Sequence, residues 1–161
     1  MECSSGGSGI DPSSKDGTYR RSALSWAAGN GFDVVVKLLT KGPRISLNGI
    51  VKLPFRKGAK VDSADRYGRT ALSYAAWNGH IASVKLLIRA GARVNSWDEI
   101  GGTPLSYAIC NGHNDVVELL LKKGTQIDSP DNISKTLLLS AAEKGHEVVV
   151  KLLLEKGAKP H

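Results

Sequence analysis

Apolar residues along the chain fall into short helical patterns that occur in pairs. Residues 70–91 give one such pair, and the apolar positions of its first helix are spaced by three and four residues: Leu72, Ala75 and Ala76. Thr70 is suited to cap this helix and Gly79 to end it, since a threonine hydroxyl accepts backbone N–H groups and glycine tolerates a left-handed backbone. A second helix is predicted from Ile81 to Arg89, and its expected buried residues are Val84, Leu86, Leu87 and Ile88.

The same pair of helices recurs along the chain with a fixed period. A 33-residue period relates the members of three series: Thr70, Thr103 and Thr136; His80, His113 and His146; Gly91, Gly124 and Gly157. An earlier copy at 22–39 has Ser22 in place of the threonine. A period of this length indicates an array of stacked repeats.

Pairs of alanines lie within the first helix of three copies, at 27–28, 75–76 and 141–142. Their side chains are too small to fill a core alone, but they let the first helix of one repeat lie close to the next. One helix pair cannot bury its own apolar face, so neighbouring repeats must stack.

The repeated sequence is similar to the ankyrin repeat. The pattern appears as 65-DRYGRTALSYAAWNGH-80 followed by 84-VKLLIRAGARVN-95, and again as 98-DEIGGTPLSYAICNGH-113 followed by 117-VELLLKKGTQID-128. The resemblance extends over about residues 16–159. It implies an all-α solenoid of stacked helix-turn-helix pairs that are joined by short β-hairpin or turn links.

The chain departs from the ankyrin pattern at two kinds of position. The histidine that usually follows Thr-Pro-Leu is replaced by Ser25, Ser73, Ser106 and Leu139. The usual inter-repeat hydrogen bond of that histidine is therefore expected to be absent or replaced. Arg20 and Ser134 stand where the turn glycine is expected, which predicts irregular outer hairpins.

The period also predicts the domain organisation. A flexible Ser- and Gly-rich tail over 1–15 precedes a single domain over 16–161, with repeats at about 16–63, 64–96, 97–129 and 130–161. Ser22 and Thr70 are separated by more than one period, and the excess places a 15-residue insertion near 42–56. Insertions often lie on a binding face. A tolerated loop without a role, an imperfect duplication or a gene-model error is the other interpretation.

Composition narrows the class of the protein. Of the 161 residues, 41% are apolar and 6% are aromatic, which suits a core of Ala, Leu and Val. No apolar run reaches the roughly 20 residues that span a bilayer, and the first residues lack the segments of a signal peptide. With cysteines at Cys3, in the tail, and Cys110, the sequence predicts an intracellular protein of the cytoplasm or nucleus without a membrane partner.

Sequence motifs give no indication of catalysis, a cofactor or a metal site. The three histidines each follow a glycine at the turn within their own repeat, so they should lie about 10 Å apart, too far to share one zinc ion. Cys110 and His113 are close in sequence, but a catalytic dyad needs an orienting third group and an oxyanion site. We therefore expect a non-enzyme that has no catalytic, metal or cofactor site.

Residues that vary between the copies indicate where a partner would bind. The resemblance implies that partners contact the hairpin tips and the exposed end of the first helix, which line a concave groove. These groove positions are Tyr19, Arg21, Arg66, Tyr67, Arg69, Trp77, Asn78, Glu99, Ile100, Cys110, Asn111, Lys135 and Lys144. For Trp77, burial against a neighbouring turn is an equal alternative to a hot-spot role. The regular row of Trp26, Tyr74 and Tyr107 is expected to pack between repeats.

Charge favours an acidic partner in the first half of the array. The net charge is +7, and residues 1–70 hold 12 Lys and Arg against 6 Asp and Glu, whereas residues 71–161 hold 10 against 9. The prediction is a non-enzymatic adaptor or scaffold that holds an acidic or phosphorylated protein segment in a basic, aromatic-lined groove. The alternatives are a structural spacer in a larger protein, self-association through the C-terminal end and, less favoured, nucleic-acid binding.

Overall fold

Four helix pairs make up the described part of the chain. The computed structural model describes residues 15–41, 58–125 and 137–158. The first helices are α1 (Ala23–Gly29), α3 (Ala71–Trp77), α5 (Pro104–Cys110) and α7 (Leu137–Glu143). The second helices are α2 (Asp33–Lys41), α4 (Ile81–Arg89), α6 (Asn114–Lys122) and α8 (Glu147–Glu155). The predicted bounds of α4 are confirmed. The predicted insertion near 42–56 and nearly all of the predicted tail lie outside the described residues.

The helices stack in two rows. The first helices α1, α3, α5 and α7 pack against one another in chain order, and the second helices α2, α4, α6 and α8 form the adjacent row. The core lies between the rows, where Leu72, Val84 and Leu87 are at most 1% exposed. Leu86 and Ile88 are only partly buried. This architecture confirms the predicted all-α ankyrin-type solenoid.

Serine hydroxyls at the starts of the first helices explain one departure from the expected pattern. The Thr70 hydroxyl accepts the Ser73 backbone N–H at 3.3 Å, and the Thr70 N–H donates to the Ser73 hydroxyl at 3.3 Å. Thr103 and Ser106 form the same reciprocal pair, at 3.1 and 2.8 Å. These serines therefore complete capping boxes, which use two of the unpaired N–H groups at a helix start.

The three periodic histidines connect each repeat to the preceding one. Nε2 of His80 lies 3.1 Å from the Gly29 carbonyl oxygen, and Nε2 of His113 lies 2.9 Å from that of Trp77. A third such pair, His146 with Cys110, is longer at 3.5 Å. Because a carbonyl only accepts, Nε2 must carry the proton. This contact supplies an inter-repeat hydrogen bond in the absence of the usual histidine.

Glycine is required where these histidines pack. Gly79 has φ of +73°, and a Cβ built there would lie 2.5 Å from Nδ1 of His113. Gly31 and Gly112 receive the rings of the following histidines in the same way. The turn glycine therefore provides both a left-handed backbone and space for the next repeat.

The connections and the last alanine pair differ in detail from the expectations. The described parts of the links contain turns and irregular structure, and Lys15 with Ser22 forms the one β-bridge among the described residues. Arg20 takes the turn-glycine position with φ of +55°, in the left-handed region that Gly68 and Gly101 also occupy, so the prediction of an irregular first turn is wrong. Ser134 lies outside the described residues. Ala141 is buried, but Ala142 is exposed, because no described helix packs on that side of α7.

Candidate functional site

In the first three repeats, an aspartate connects the turn that precedes the first helix to that helix by hydrogen bonds. Oδ1 of Asp65 accepts the backbone N–H groups of Tyr67 and Arg69 at 2.8 and 2.9 Å. Oδ2 of the same side chain accepts the Tyr74 hydroxyl at 2.6 Å. The carboxylate therefore fixes the shape of the turn and the direction of the Tyr74 ring together.

The next repeat has the same arrangement. Oδ1 of Asp98 accepts the N–H groups of Ile100 and Gly102 at 3.1 and 2.6 Å, and Oδ2 accepts the Tyr107 hydroxyl. Burial is the main cause that raises the pKa of Tyr107 to about 12, and the bond to Asp98 adds to it. Tyr107 therefore stays a neutral donor at physiological pH.

The first repeat uses tryptophan in the same role. Oδ1 of Asp16 accepts the N–H groups of Tyr19 and Arg21 at 2.8 and 3.2 Å, and Oδ2 accepts the Trp26 indole N–H at 3.0 Å. The Trp26 hydrogen bond is the largest cause that lowers the pKa of Asp16. Sequence analysis missed these three pairs, although an aspartate nine or ten residues before an aromatic residue is a signal that the chain carries.

Arginines lie between successive members of the aromatic row. The Arg21 guanidinium carbon lies 4.1 Å from the centre of the Trp26 ring and 3.9 Å from the centre of the Tyr74 ring. Arg21 is therefore stacked between an aromatic residue of its own repeat and one of the next. Both contacts are within cation–π distance.

Arg69 occupies the equivalent position one repeat later. Its guanidinium carbon lies 5.4, 5.6 and 5.8 Å from the ring centres of Tyr67, Trp77 and Tyr107. Its Nε lies 3.5 Å from Oδ2 of Asp98, whose side chain is 1% exposed. The charge of Arg69 is therefore partly compensated within the array.

These side chains enclose a concave pocket, which we call the groove pocket. It has a volume of about 260 Å³, and its walls are Arg21, Trp26, Arg69, Tyr74, Trp77 and Tyr107 with Gly29, Asn30, Ser73 and Asn78. Trp77 is 43% exposed and packs its ring 4.8 Å from that of Tyr107. Trp77 thus lines the pocket and also contacts the following repeat. The row of Trp26, Tyr74 and Tyr107 faces this pocket while making contacts between repeats.

The turn tips form a second surface beside the pocket. Tyr19, Tyr67 and Ile100 are 47%, 39% and 59% exposed, and the rings of Tyr19 and Tyr67 are 6.4 Å apart. Arg66 donates from its guanidinium to the Thr18 carbonyl at 3.2 Å. Arg66 therefore holds the preceding turn as well as facing solvent.

The remaining predicted groove residues lie farther along the array or at helix ends. Asn78 and Asn111 are C-cap residues whose side-chain amides donate to the carbonyls of Tyr74 and Tyr107 at 3.1 and 2.9 Å. Glu99 is exposed on a turn tip, Cys110 is half-buried at the end of α5, and Lys144 is exposed after α7. Lys135 lies outside the described residues.

The described residues contain neither a metal-binding cluster nor a helix that could span a membrane. Among those residues there is no group of three or more His, Cys, Asp or Glu side chains that could hold a metal ion. None of the described helices combines the length and apolarity needed to cross a membrane. Within the groove pocket, the Trp26 indole N–H and the Tyr74 and Tyr107 hydroxyls each donate to an aspartate.

Comparison with known sequences agrees with this geometry. A family profile described as ankyrin repeats (3 copies) matches residues 5–98 and 95–161. The chain belongs to the ankyrin repeat family. Ankyrin repeats are generally modules for protein–protein interaction, so the predicted family is confirmed, and protein binding is the general function of its members.

A curated protein also matches part of the array. Inversin of Danio rerio is 35% identical over 68 residues, which are 42% of this chain and 5% of that protein. The chain therefore corresponds to a small part of the length of this relative.

Proposed function

We propose that this ankyrin array binds an acidic or phosphorylated protein segment in the groove formed by its first two or three repeats. The observation that carries the proposal is the groove pocket, in which two arginines and four aromatic side chains from three repeats line one cavity of about 260 Å³. Arginine and aromatic residues are the types that dominate binding energy at protein interfaces. The exposed tips of Tyr19 and Tyr67 extend the contact surface along an elongated ligand.

Charge supports an acidic ligand over a neutral one. Residues 1–70 carry a surplus of six positive charges, and both pocket arginines come from this region. Such a surplus raises the association rate of an acidic partner, and the effect weakens as salt is added. Intracellular adaptor or scaffold roles are consistent with this arrangement.

Selection of peptides on the full chain tests the proposal. Random 12-residue peptides would be selected on immobilised protein, and the enriched sequences measured by isothermal titration calorimetry. We expect an excess of Asp and Glu, and at least tenfold weaker binding by Trp77→Ala, a loss typical of an interface hot spot. Trp97→Ala is the matched control, because Trp97 is similarly exposed at 47% and lies outside the pocket lining.

Two results would contradict this proposal. One is an enriched set without an acidic excess, and the other is equal loss of affinity in the Trp77 and Trp97 variants. Binding of single-stranded nucleic acid with a steep salt dependence would favour the rival function.

Self-association is a second candidate function, and the exposure of equivalent positions favours it. Val116 and Val149 are at most 1% exposed where a preceding repeat covers them, whereas the equivalent Val35 of α2 is 42% exposed. On the opposite side, Leu121 is 8% exposed and the equivalent Leu154 of α8 is 47% exposed. The exposed Val35 on α2 and the exposed Leu154 on α8 are thus the counterparts of residues that contacts between the described repeats bury.

Stacking of one copy on another would continue the array in the same direction. Light scattering over a range of concentrations should then give a mass above 17.1 kDa that falls in Val35→Lys and in Leu154→Lys. A mass of one chain at every concentration would exclude this function.

A further inference from the structure

The two arginines of the groove pocket differ in how their charges are compensated. Arg69 faces the buried carboxylate of Asp98 at 3.5 Å. Arg21 has no carboxylate within 4.0 Å among the described residues. The buried Nε atoms of both arginines lack a hydrogen-bond partner there, so the two residues differ in the carboxylate contact. A guanidinium with unpaired N–H groups in a concave site is suited to receive an anion.

Four other polar donors of the pocket wall are already in use. The Trp26 indole N–H, the Tyr74 hydroxyl and the Tyr107 hydroxyl each donate to an aspartate of their own repeat. The side-chain amide of Asn30 donates to the Trp26 carbonyl at 2.8 Å. An entering anion therefore finds Arg21 as the arginine of the described wall that has no carboxylate within 4.0 Å.

Stacking also restricts how Arg21 can bind a ligand. The Trp26 and Tyr74 rings lie over the guanidinium at 4.1 and 3.9 Å, so its faces are covered and its N–H groups point along the plane between the rings. A planar carboxylate can accept two parallel N–H bonds in that plane. The flat rings on either side would contact the apolar stem of a Glu or Asp side chain.

Shape favours a carboxylate over a phosphate between the rings. The two oxygens of a carboxylate lie in one plane with its carbon, so both can face the edge of the guanidinium between the Trp26 and Tyr74 rings. A phosphoryl group is tetrahedral, so its remaining oxygens project out of that plane towards the apolar rings and away from the N–H donors. The space between the rings is therefore suited to the planar group.

From these contacts we infer that Arg21 is the anion-binding residue of the groove pocket and that its ligand is a single carboxylate side chain of the bound segment. This inference rests on the proposed function, and it narrows the ligand from acidic or phosphorylated segments to those that carry Asp or Glu. Arg69 is then a positioning residue that holds Tyr67, Trp77 and Tyr107 around the pocket.

Nuclear magnetic resonance of the full ¹⁵N-labelled chain can test both parts of the inference. The probes are sodium acetate and inorganic phosphate at pH 7.4, with chloride used to keep the ionic strength constant. We expect acetate to shift the Arg21 Nε–H and Trp26 indole resonances in a saturable way, with a Kd on the order of 10 mM. Phosphate should bind at least tenfold more weakly.

Three variants separate the role of Arg21 from general effects of charge. Arg21→Gln should remove the saturable Trp26 shift, whereas Arg89→Gln, which removes the same charge at an exposed position outside the pocket lining, should change the acetate Kd less than threefold. Gly29→Ala keeps both arginines but places a methyl group 3.2 Å from Nη2 of Arg21. Gly29 lies in α1 with an ordinary helical backbone, so this variant should fold and should weaken acetate binding by fivefold or more.

Several results would overturn the inference. These are phosphate affinity equal to or above that of acetate, a loss in Arg89→Gln as large as in Arg21→Gln, and the absence of a saturable shift up to about 100 mM acetate. If selected acidic peptides bind Arg21→Gln as tightly as the unmodified chain, the inference is wrong and the proposed function stands. If acetate binds at Arg21 but no acidic peptides are enriched, the inference is supported and the proposed function is contradicted.

Discussion

Replacement of one turn glycine should reveal how strongly the histidine contacts hold the repeats together. In Gly79→Ala the new methyl group would lie 2.5 Å from Nδ1 of His113 and 2.8 Å from Cε1. Contacts this short cannot be accommodated, so the imidazole must move. Its hydrogen bond to the Trp77 carbonyl, at 2.9 Å, would then be strained or broken.

The expected loss has a backbone part and an inter-repeat part. Alanine at φ of +73° costs about 1–2 kcal/mol, offset by about 0.4–1 kcal/mol because alanine restricts the unfolded chain. Overpacking against the ring adds about 1–3 kcal/mol, and the lost hydrogen bond adds about 0.5–1.5 kcal/mol. The free energy of unfolding should therefore fall by about 1.5–6 kcal/mol, with the middle of that range at about 4 kcal/mol.

Gly145→Ala is the matched control. Gly145 occupies the same turn position in the last repeat, with φ of +71°, but no described atom lies within 4 Å of a Cβ built there. This variant should therefore lose only the net backbone part, about 1 kcal/mol. Urea unfolding followed by circular dichroism measures both, and for a chain of this length each kcal/mol corresponds to about 2–4 °C in Tm.

Similar losses in Gly79→Ala and Gly145→Ala would contradict the proposed effect of the His113 contact. If the losses of free energy in Gly79→Ala and Gly145→Ala agree to within about 0.5 kcal/mol, the histidine does not pack against the preceding turn as described. Adding His113→Ala to Gly79→Ala supplies a further check. Because removal of the ring relieves the clash, the double variant should be more stable than the sum of the two single losses predicts.

Three further outcomes follow from the aspartate contacts and caps. The pKa of Tyr107 is about 12 in the folded chain and about 10 in the unfolded chain. Its contribution to the free energy of unfolding is therefore complete below pH 10 and is lost as the pH rises towards 12. The unfolding midpoints measured at pH 9 and at pH 11 should lie closer together in Tyr107→Phe than in the unmodified chain. Asp98→Asn should lower the free energy of unfolding by about 1 kcal/mol more than Asp65→Asn does, because Asp98 forms an ion pair with Arg69 at 3.5 Å and Asp65 does not. Equal losses in urea unfolding would exclude that ion pair. Thr70→Ala should lower the free energy of unfolding by about 1 kcal/mol through loss of its cap, and an unchanged midpoint would refute the capping role.

Local sequence signals were sufficient for the framework of the fold. The 33-residue period and the cap at Thr70 depend on residue types at fixed places along the chain, so they can be read without coordinates. The bounds of α4 were predicted for the same reason. The role of Ser73 could not be foreseen from the family pattern, since the pattern places a histidine there.

The candidate site depended on distances between repeats that no local signal contains. Arg21 and Tyr74 belong to different repeats and are far apart in the sequence, yet the guanidinium carbon lies 3.9 Å from the ring centre. Arg21 and Trp77 could be chosen as groove residues because their types and positions vary between copies. The stacking of Arg21 between two rings, and its lack of a carboxylate partner among the described residues, required the register of the stacked helices.

Adjacent repeats are joined at both ends of the first helix, and this has a consequence for how recognition takes place. Beside α3, the Glu99 N–H donates to the Tyr67 carbonyl at 3.0 Å at the turn tip, and His113 contacts the Trp77 carbonyl at the other end. Two attachment points prevent one helix from pivoting on the next, so the curvature of the groove is set before any ligand arrives. Any change of conformation on binding must then take place in the ligand. Under the proposed function, the array should bind most tightly to segments that are already extended. The conformational entropy lost on binding is then lost by the segment and not by the array.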